Sequence, residues 1–175
     1  MANLMRHTLP LLLVLIMAST LAAASEQVET FESAVFSNHK VVVGTRSTDK
    51  MVVAIESGGV DNMKEVTGPA ALFIGFDPSD PVTEFSIKMV TGQPFTLTRL
   101  RLSNQFEMKE DIQITAIKGG EVVGEFSSEV PWPEADVLPP SGSSFRLIDE
   151  VRVAGSDLYF YLEEIGFDLE GAVIW

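Results

Sequence analysis

The chain has 175 residues, with 12 Lys and Arg against 25 Asp and Glu, a formal net charge of −13, and no cysteine. A field of that sign repels phosphate backbones and excludes nucleic acid as a partner. The missing thiols exclude disulfides, thiolate metal ligands and a cysteine nucleophile.

The first residues are a segment apart. Arg6 lies before an apolar run from Leu9 to Met17, and the small residues Ala18 to Ala24 end in an A-x-A pattern at Ala22 and Ala24. That sequence of basic start, short apolar run and small-residue exit predicts a secretory signal peptide over residues 1–24, and hence a secreted or periplasmic domain over 25–175. The run is shorter than the roughly 20 residues that span a bilayer, and no later segment is a candidate transmembrane helix. Without Arg6 the balance becomes 11 against 25, a net charge of −14. A cysteine-free exported domain of this size points to a bacterial source with a core that needs no disulfide.

Beyond residue 25 the apolar runs are short and separated by Gly, Pro, Asp and Ser, which predicts strands. In chain order these are Lys40–Arg46, Met51–Glu56, Ala70–Phe76, Thr83–Val90, Phe95–Leu102, Asp111–Ile117, Glu121–Phe126, Phe145–Val153, Leu158–Ile165 and Leu169–Ile174. Phe85, Ile87 and Met89 alternate with polar residues, as do Ile112 and Ile114, so one face of each run meets a core and the other meets water. Gly119-Gly120 between two such runs predicts a tight hairpin; Ser57 to Gly59 and Thr91 to Pro94 read as further turns. Residues 131–144, with prolines at 131, 133, 139 and 140, are either a loop over one end of the domain or a mobile flap. Many short strands at even spacing give an all-β sandwich or barrel.

Four pieces of this order resemble the bacterial secreted jelly-roll modules of the galactose-binding-like and carbohydrate-binding-module type. They are Thr30-Phe31-Glu32 near the mature start, the stretch Phe95 to Val123 with its Gly-Gly hairpin, Phe145-Arg146-Leu147-Ile148-Asp149-Glu150-Val151-Arg152-Val153, and Tyr161-Leu162-Glu163-Glu164-Ile165. The resemblance implies a single jelly-roll β-sandwich of two antiparallel sheets. It also implies a structural calcium joining the first and last strands, its ligands Glu32 with Glu163 or Glu164. Calcium takes six to eight hard oxygens, some from backbone carbonyls. The glutamates stand where the family has Asp-Asp or Asp-Asn, which sets the carboxylates about one bond further out.

Other residues carry competing readings. Asp77 and Asp80 in Phe76-Asp77-Pro78-Ser79-Asp80-Pro81 either chelate a cation or, by ordinary turn chemistry, accept backbone N–H bonds. Trp132 lies between two prolines, while Tyr159 and Tyr161 point away from Leu158, Phe160 and Leu162. These three aromatics are the candidate ligand platform, for sugar faces stack on exposed rings. Catalysis finds no support: His39 is the only histidine after residue 25, no G-x-S-x-G elbow occurs, and no carboxylate pair is singled out. Glu163 and Glu164, adjacent on a strand, are expected on opposite faces. The function expected is non-catalytic binding of an extracellular glycan or cell-surface component. A structural or partner-binding exported protein is the alternative. Lesser ones are a polysaccharide-active hydrolase or lyase and a small outer-membrane barrel, the last suggested by alternating Phe167, Leu169, Val173 and Trp175.

Overall fold

The structure, a computed structural model, describes residues 26–32, 34–45, 48–67, 70–104, 110–130, 132–142 and 144–169. The expectations on the leader and on a strand continuing past Leu169 lie outside the described residues. Thirteen strands and no helix occur among the described residues: β1 (Gln27–Thr30), β2 (Val35–Ser37), β3 (Lys40–Thr45), β4 (Thr48–Gly58), β5 (Met63–Thr67), β6 (Ala70–Ile74), β7 (Val82–Met89), β8 (Thr96–Ser103), β9 (Asp111–Lys118), β10 (Glu121–Glu129), β11 (Glu134–Val137), β12 (Glu150–Leu158) and β13 (Phe160–Asp168). They form two sheets in which every pairing is antiparallel. The first runs β11-β8-β13-β6-β5 and the second β10-β9-β12-β7-β4-β3-β2. β13 has a divided neighbour: β6 pairs with Phe160 to Leu162, and β1 takes over the same edge from Glu164 to Phe167.

One apolar core lies between the sheets. Phe85, Ile87, Ile112, Ile114, Val151 and Val153 enter it from the second sheet, and Leu72, Ile74, Leu100, Leu102, Phe160, Leu162 and Ile165 from the first. Phe85 meets Phe160 across the gap with ring centroids 6.1 Å apart. The expected alternation therefore holds where it was clearest, because in a pleated strand residues two apart share a face. The sheets do not close on each other: β11 and β5 end one, β10 and β2 the other. Their outer faces carry ion pairs such as Arg99–Glu164 and Arg152–Glu84. That overturns the outer-membrane barrel, which needs a closed sheet and an apolar outer band.

Three local departures have physical causes. The proline-rich stretch contains β11, whose residues Glu134 to Val137 pair with Ser103 to Leu100, so it is part of a sheet and not wholly irregular. The stretch from Phe145 to Asp149 is not regular strand. Phe145 and Ile148 are both buried, and residues three apart on a strand would face opposite ways. Leu147, at φ 50°, turns the chain so that both reach the core, and Ile148 bridges Phe95 alone. The Gly119-Gly120 hairpin is as expected, with φ of 60° and 84°. Asn38-His39 makes the same two-residue turn between β2 and β3 without glycine, at φ 46° and 64°.

Candidate binding face

One row of residues crosses the outer face of the first sheet. Lys64 on β5 stands opposite Phe73 on β6, Phe73 opposite Tyr161 on β13, Tyr161 opposite Ser103 on β8, and Ser103 opposite Glu134 on β11. Directly opposed residues share a face. Leu72, Ile74, Phe160 and Leu162 are buried in the core, so their chain neighbours Phe73 and Tyr161 point outward. Phe73 and Tyr161 stack at 4.5 Å with 20° between their planes. Rings that close, on strands about 4.8 Å apart, stand upright with faces together instead of lying flat side by side. Tyr159, in the link between β12 and β13, meets Phe73 edge-on at 5.0 Å, and Phe76 lies 6.4 Å from Phe73. Lys64 Nζ sits 4.5 Å from the Phe76 centroid and 5.6 Å from that of Phe73, within cation–π range. Burial, with Tyr159 adding, pushes the Tyr161 phenol up, so it stays a neutral donor.

Beside the aromatics lies a charged network. Arg99 reaches Asp136 and Glu164, each at 3.2 Å, and Glu26 at 3.5 Å. Arg101 reaches Glu134 at 2.5 Å, Glu163 at 3.5 Å and Asp136 at 3.7 Å. Its guanidinium is held above the usual arginine value, chiefly by the Glu134 hydrogen bond. Ser103 Oγ donates to Glu163 at 2.6 Å. Glu163 and Glu164 thus serve arginines on one face of β8, against the expectation of opposite faces. The cause is a register shift between Leu162 and Glu164, a bulge that turns successive side chains the same way.

Of the three expected platform aromatics, the structure brings Tyr159 and Tyr161 together through Phe73. Trp132 is 56% exposed. It is carried on the approach to β11, where the Pro133 carbonyl accepts the Asn104 amide at 3.2 Å, one residue beyond Ser103. Phe73 and Phe76 were missed because the run Ala70–Phe76 reads as uniformly apolar and its outward phase shows only once its partners are known; Lys64 was missed because β5 is too short for a period to repeat.

The expected calcium ligands do not converge. Glu163 and Glu164 are engaged by arginine, Glu32 is exposed in the turn after β1, and among the described residues no three His, Cys, Asp or Glu are grouped as metal ligands. Two of the three carboxylates expected as ligands are thus already paired with arginine. The carboxylate of β1 that the fold does bury is Glu29. Its phase was legible: Phe31, two residues on, is apolar and goes inward.

Asp77 follows the turn reading: its Oδ1 accepts the Ser79 amide at 2.9 Å and hydroxyl at 2.6 Å, and these bonds hold its carboxyl below the usual range. Buried Asn62 fastens that turn by donating to the carbonyls of Asp77 and Asp80. Elsewhere, His39 Nδ1 lies 2.5 Å from Asp61 Oδ1 at the rim of a pocket of about 410 Å³, lined also by Phe36, Ser37, Val60 and Met63. Glu110, at the head of β9, is buried and accepts the Tyr159 amide at 3.1 Å, while its Oε1 meets no donor among the described residues. Desolvation pushes this carboxyl up to about 7, opposed by the Tyr159 bond and helped by Asp157.

No protein-family model matches the chain, and a search of curated proteins returns no match.

Proposed function

We propose that this is an exported, non-catalytic binding module on a jelly-roll sandwich, and that the outer face of the first sheet takes an extracellular glycan or cell-surface component. Strand order supports the jelly roll. The eight consecutive strands β6 to β13 alternate as β6-β13-β8-β11 in one sheet and β7-β12-β9-β10 in the other, the double Greek key wrapping of that fold. The strands before β6 then extend both sheets at one side.

The observation that carries the binding reading is the outward aromatic cluster of Phe73, Phe76, Tyr159 and Tyr161 beside hydrogen-bonding carboxylates and arginines. A half-buried ring edge with a phenol, next to fixed polar groups, suits a sugar's mixed apolar and hydroxyl surface. The upright rings favour a ligand that lodges against Tyr161 over one lying across a flat platform. Binding of the mature protein to a panel of insoluble polysaccharides and soluble oligosaccharides tests this. Tyr161→Ala is expected to weaken binding roughly tenfold, the effect of losing about 1.4 kcal/mol of contact. Trp132→Ala is expected to do less, since Trp132 is not one of the rings packed on Phe73. Absence of binding across the panel, or binding indifferent to Tyr161, removes the glycan reading. The alternative, an exported partner-binding protein, draws on Val35 and Phe36 on edge strand β2 and on Val60, all about half exposed.

A further inference from the structure

The jelly-roll resemblance places a calcium between first and last strands, and the acids expected to hold it do not converge. The same place nevertheless has a cation. Glu29 is 0% exposed, on the strand that borders β13, and it projects toward the second sheet. Lys50 Nζ, from β4 in that sheet, lies 3.0 Å from Glu29 Oε1 and donates to Gln27 Oε1 at 3.0 Å. Gln27 and Glu29 are two apart and so share a face of β1. Neither Glu29 oxygen has a well-aligned hydrogen-bond donor among the described residues. The carboxylate is therefore compensated by charge, and Lys50 is the charge at hand. The Phe167 ring, 5.9 Å from the ammonium, flanks it from the last strand.

We propose that the Lys50 ammonium, clasped by Gln27 and Glu29 and flanked by Phe167, is the built-in cation that fastens β1 and β13 of one sheet to β4 of the other, so that the sandwich needs no calcium there. A lysine is available at any calcium concentration, so stability is uncoupled from the metal content of the surroundings. A buried carboxylate that loses its only cation is strongly destabilising, whereas replacing both partners by neutral groups is tolerated.

The test is thermal unfolding of the mature protein in millimolar calcium and in chelator. The wild-type melting temperature is expected to differ by no more than about 1 °C between the two, the result for a fold with no calcium linkage. Lys50→Met is expected to lower it by roughly 5–10 °C, reduced from the fully buried case because Lys50 is partly exposed. Glu29→Gln combined with Lys50→Met is expected to recover most of that loss, which a mere packing role for the lysine stem does not predict. A calcium-dependent rise of several degrees in the wild type, lost in Glu29→Gln, overturns the proposal. So does a Lys50→Met variant that melts with the wild type. The calcium comparison stands even where a variant fails to fold.

Discussion

Glu110 is the residue at which burial and charge conflict most openly. Its carboxyl is pushed up to about 7 from an ordinary 4.5, mainly by desolvation, while its Oε2 holds the Tyr159 amide. Between these values the unfolded chain has released the proton that the folded chain still binds. The contribution of Glu110 to stability is therefore fully present below about pH 4.5 and is lost as pH rises to about 7. A displacement of that size corresponds to at most about 3 kcal/mol. The informative quantity is the difference from Glu110→Gln, whose amide oxygen can still accept the Tyr159 N–H. In chemical denaturation the variant is expected to match the wild type near pH 4 and to exceed it near pH 8. A difference that stays constant across this range sinks the assignment.

At the level of the elements, Gly75 closes β6 against the β12–β13 link. Its φ is 74°, and a Cβ there would stand 1.7 Å from the Leu158 carbonyl oxygen, a backbone atom that has no rotamer to yield. Gly75 also donates its amide to Asn62, the residue that fastens the 77–80 turn. Gly75→Ala is expected to destabilise by roughly 3 kcal/mol or more, through strain and clash together; a loss below about 1 kcal/mol by urea titration, within the range of an ordinary surface change, contradicts this packing. Elements of this kind mark where the sequence was legible. β7 and β9 announced themselves by alternation, since each buries one face, and β10 by the Gly-Gly turn that precedes it. β1, β2, β5 and β11 did not: they are three to five residues long, too short for a period to repeat. β11 also lies among prolines, which an edge strand tolerates but a pattern reading counts against it. The bulge at Glu163–Glu164 was invisible for a different reason. A register shift is decided by the partner strand β8, and nothing in Leu-Glu-Glu-Ile encodes it. The candidate face was half legible for the same cause: Tyr159 and Tyr161 declare their phase against Leu158 and Phe160, while Phe73 needs its neighbours.

On the scale of the whole molecule, the strands before β6 raise the question of whether they are an accessory or part of the folding unit. β6 to β13 contain a complete set of alternating strands, and a fragment of residues 70–169 would keep every one of them. The core argues that this fragment is not enough. Val41, Val43, Met51 and Val53 from β3 and β4, and Phe31 after β1, are all at 0% exposure within the single apolar cluster. β4 pairs along β7, and β1 pairs with β13 beyond the reach of β6. Without them the inner faces of Val82, Phe85, Ile87 and Phe167 lose much of their cover. At about 1.5–3 kcal/mol for each large side chain fully exposed, even partial exposure of four approaches half of a domain's usual 5–15 kcal/mol. The edges of β7 and β13 would also present unpaired backbone, which invites association. The segment 25–175 is therefore expected to unfold in one cooperative transition, and fragment 70–169 to show none, binding hydrophobic dye and self-associating instead. A sharp thermal transition in the isolated fragment would mean that the eight strands close their own core, and that β1 to β5 are laid onto a finished sandwich and not folded with it. The Lys50–Glu29 clasp separates these cases further: in a single unit, Lys50→Met shifts the one transition as a whole, whereas an added-on arm would melt first and leave the rest at its original temperature.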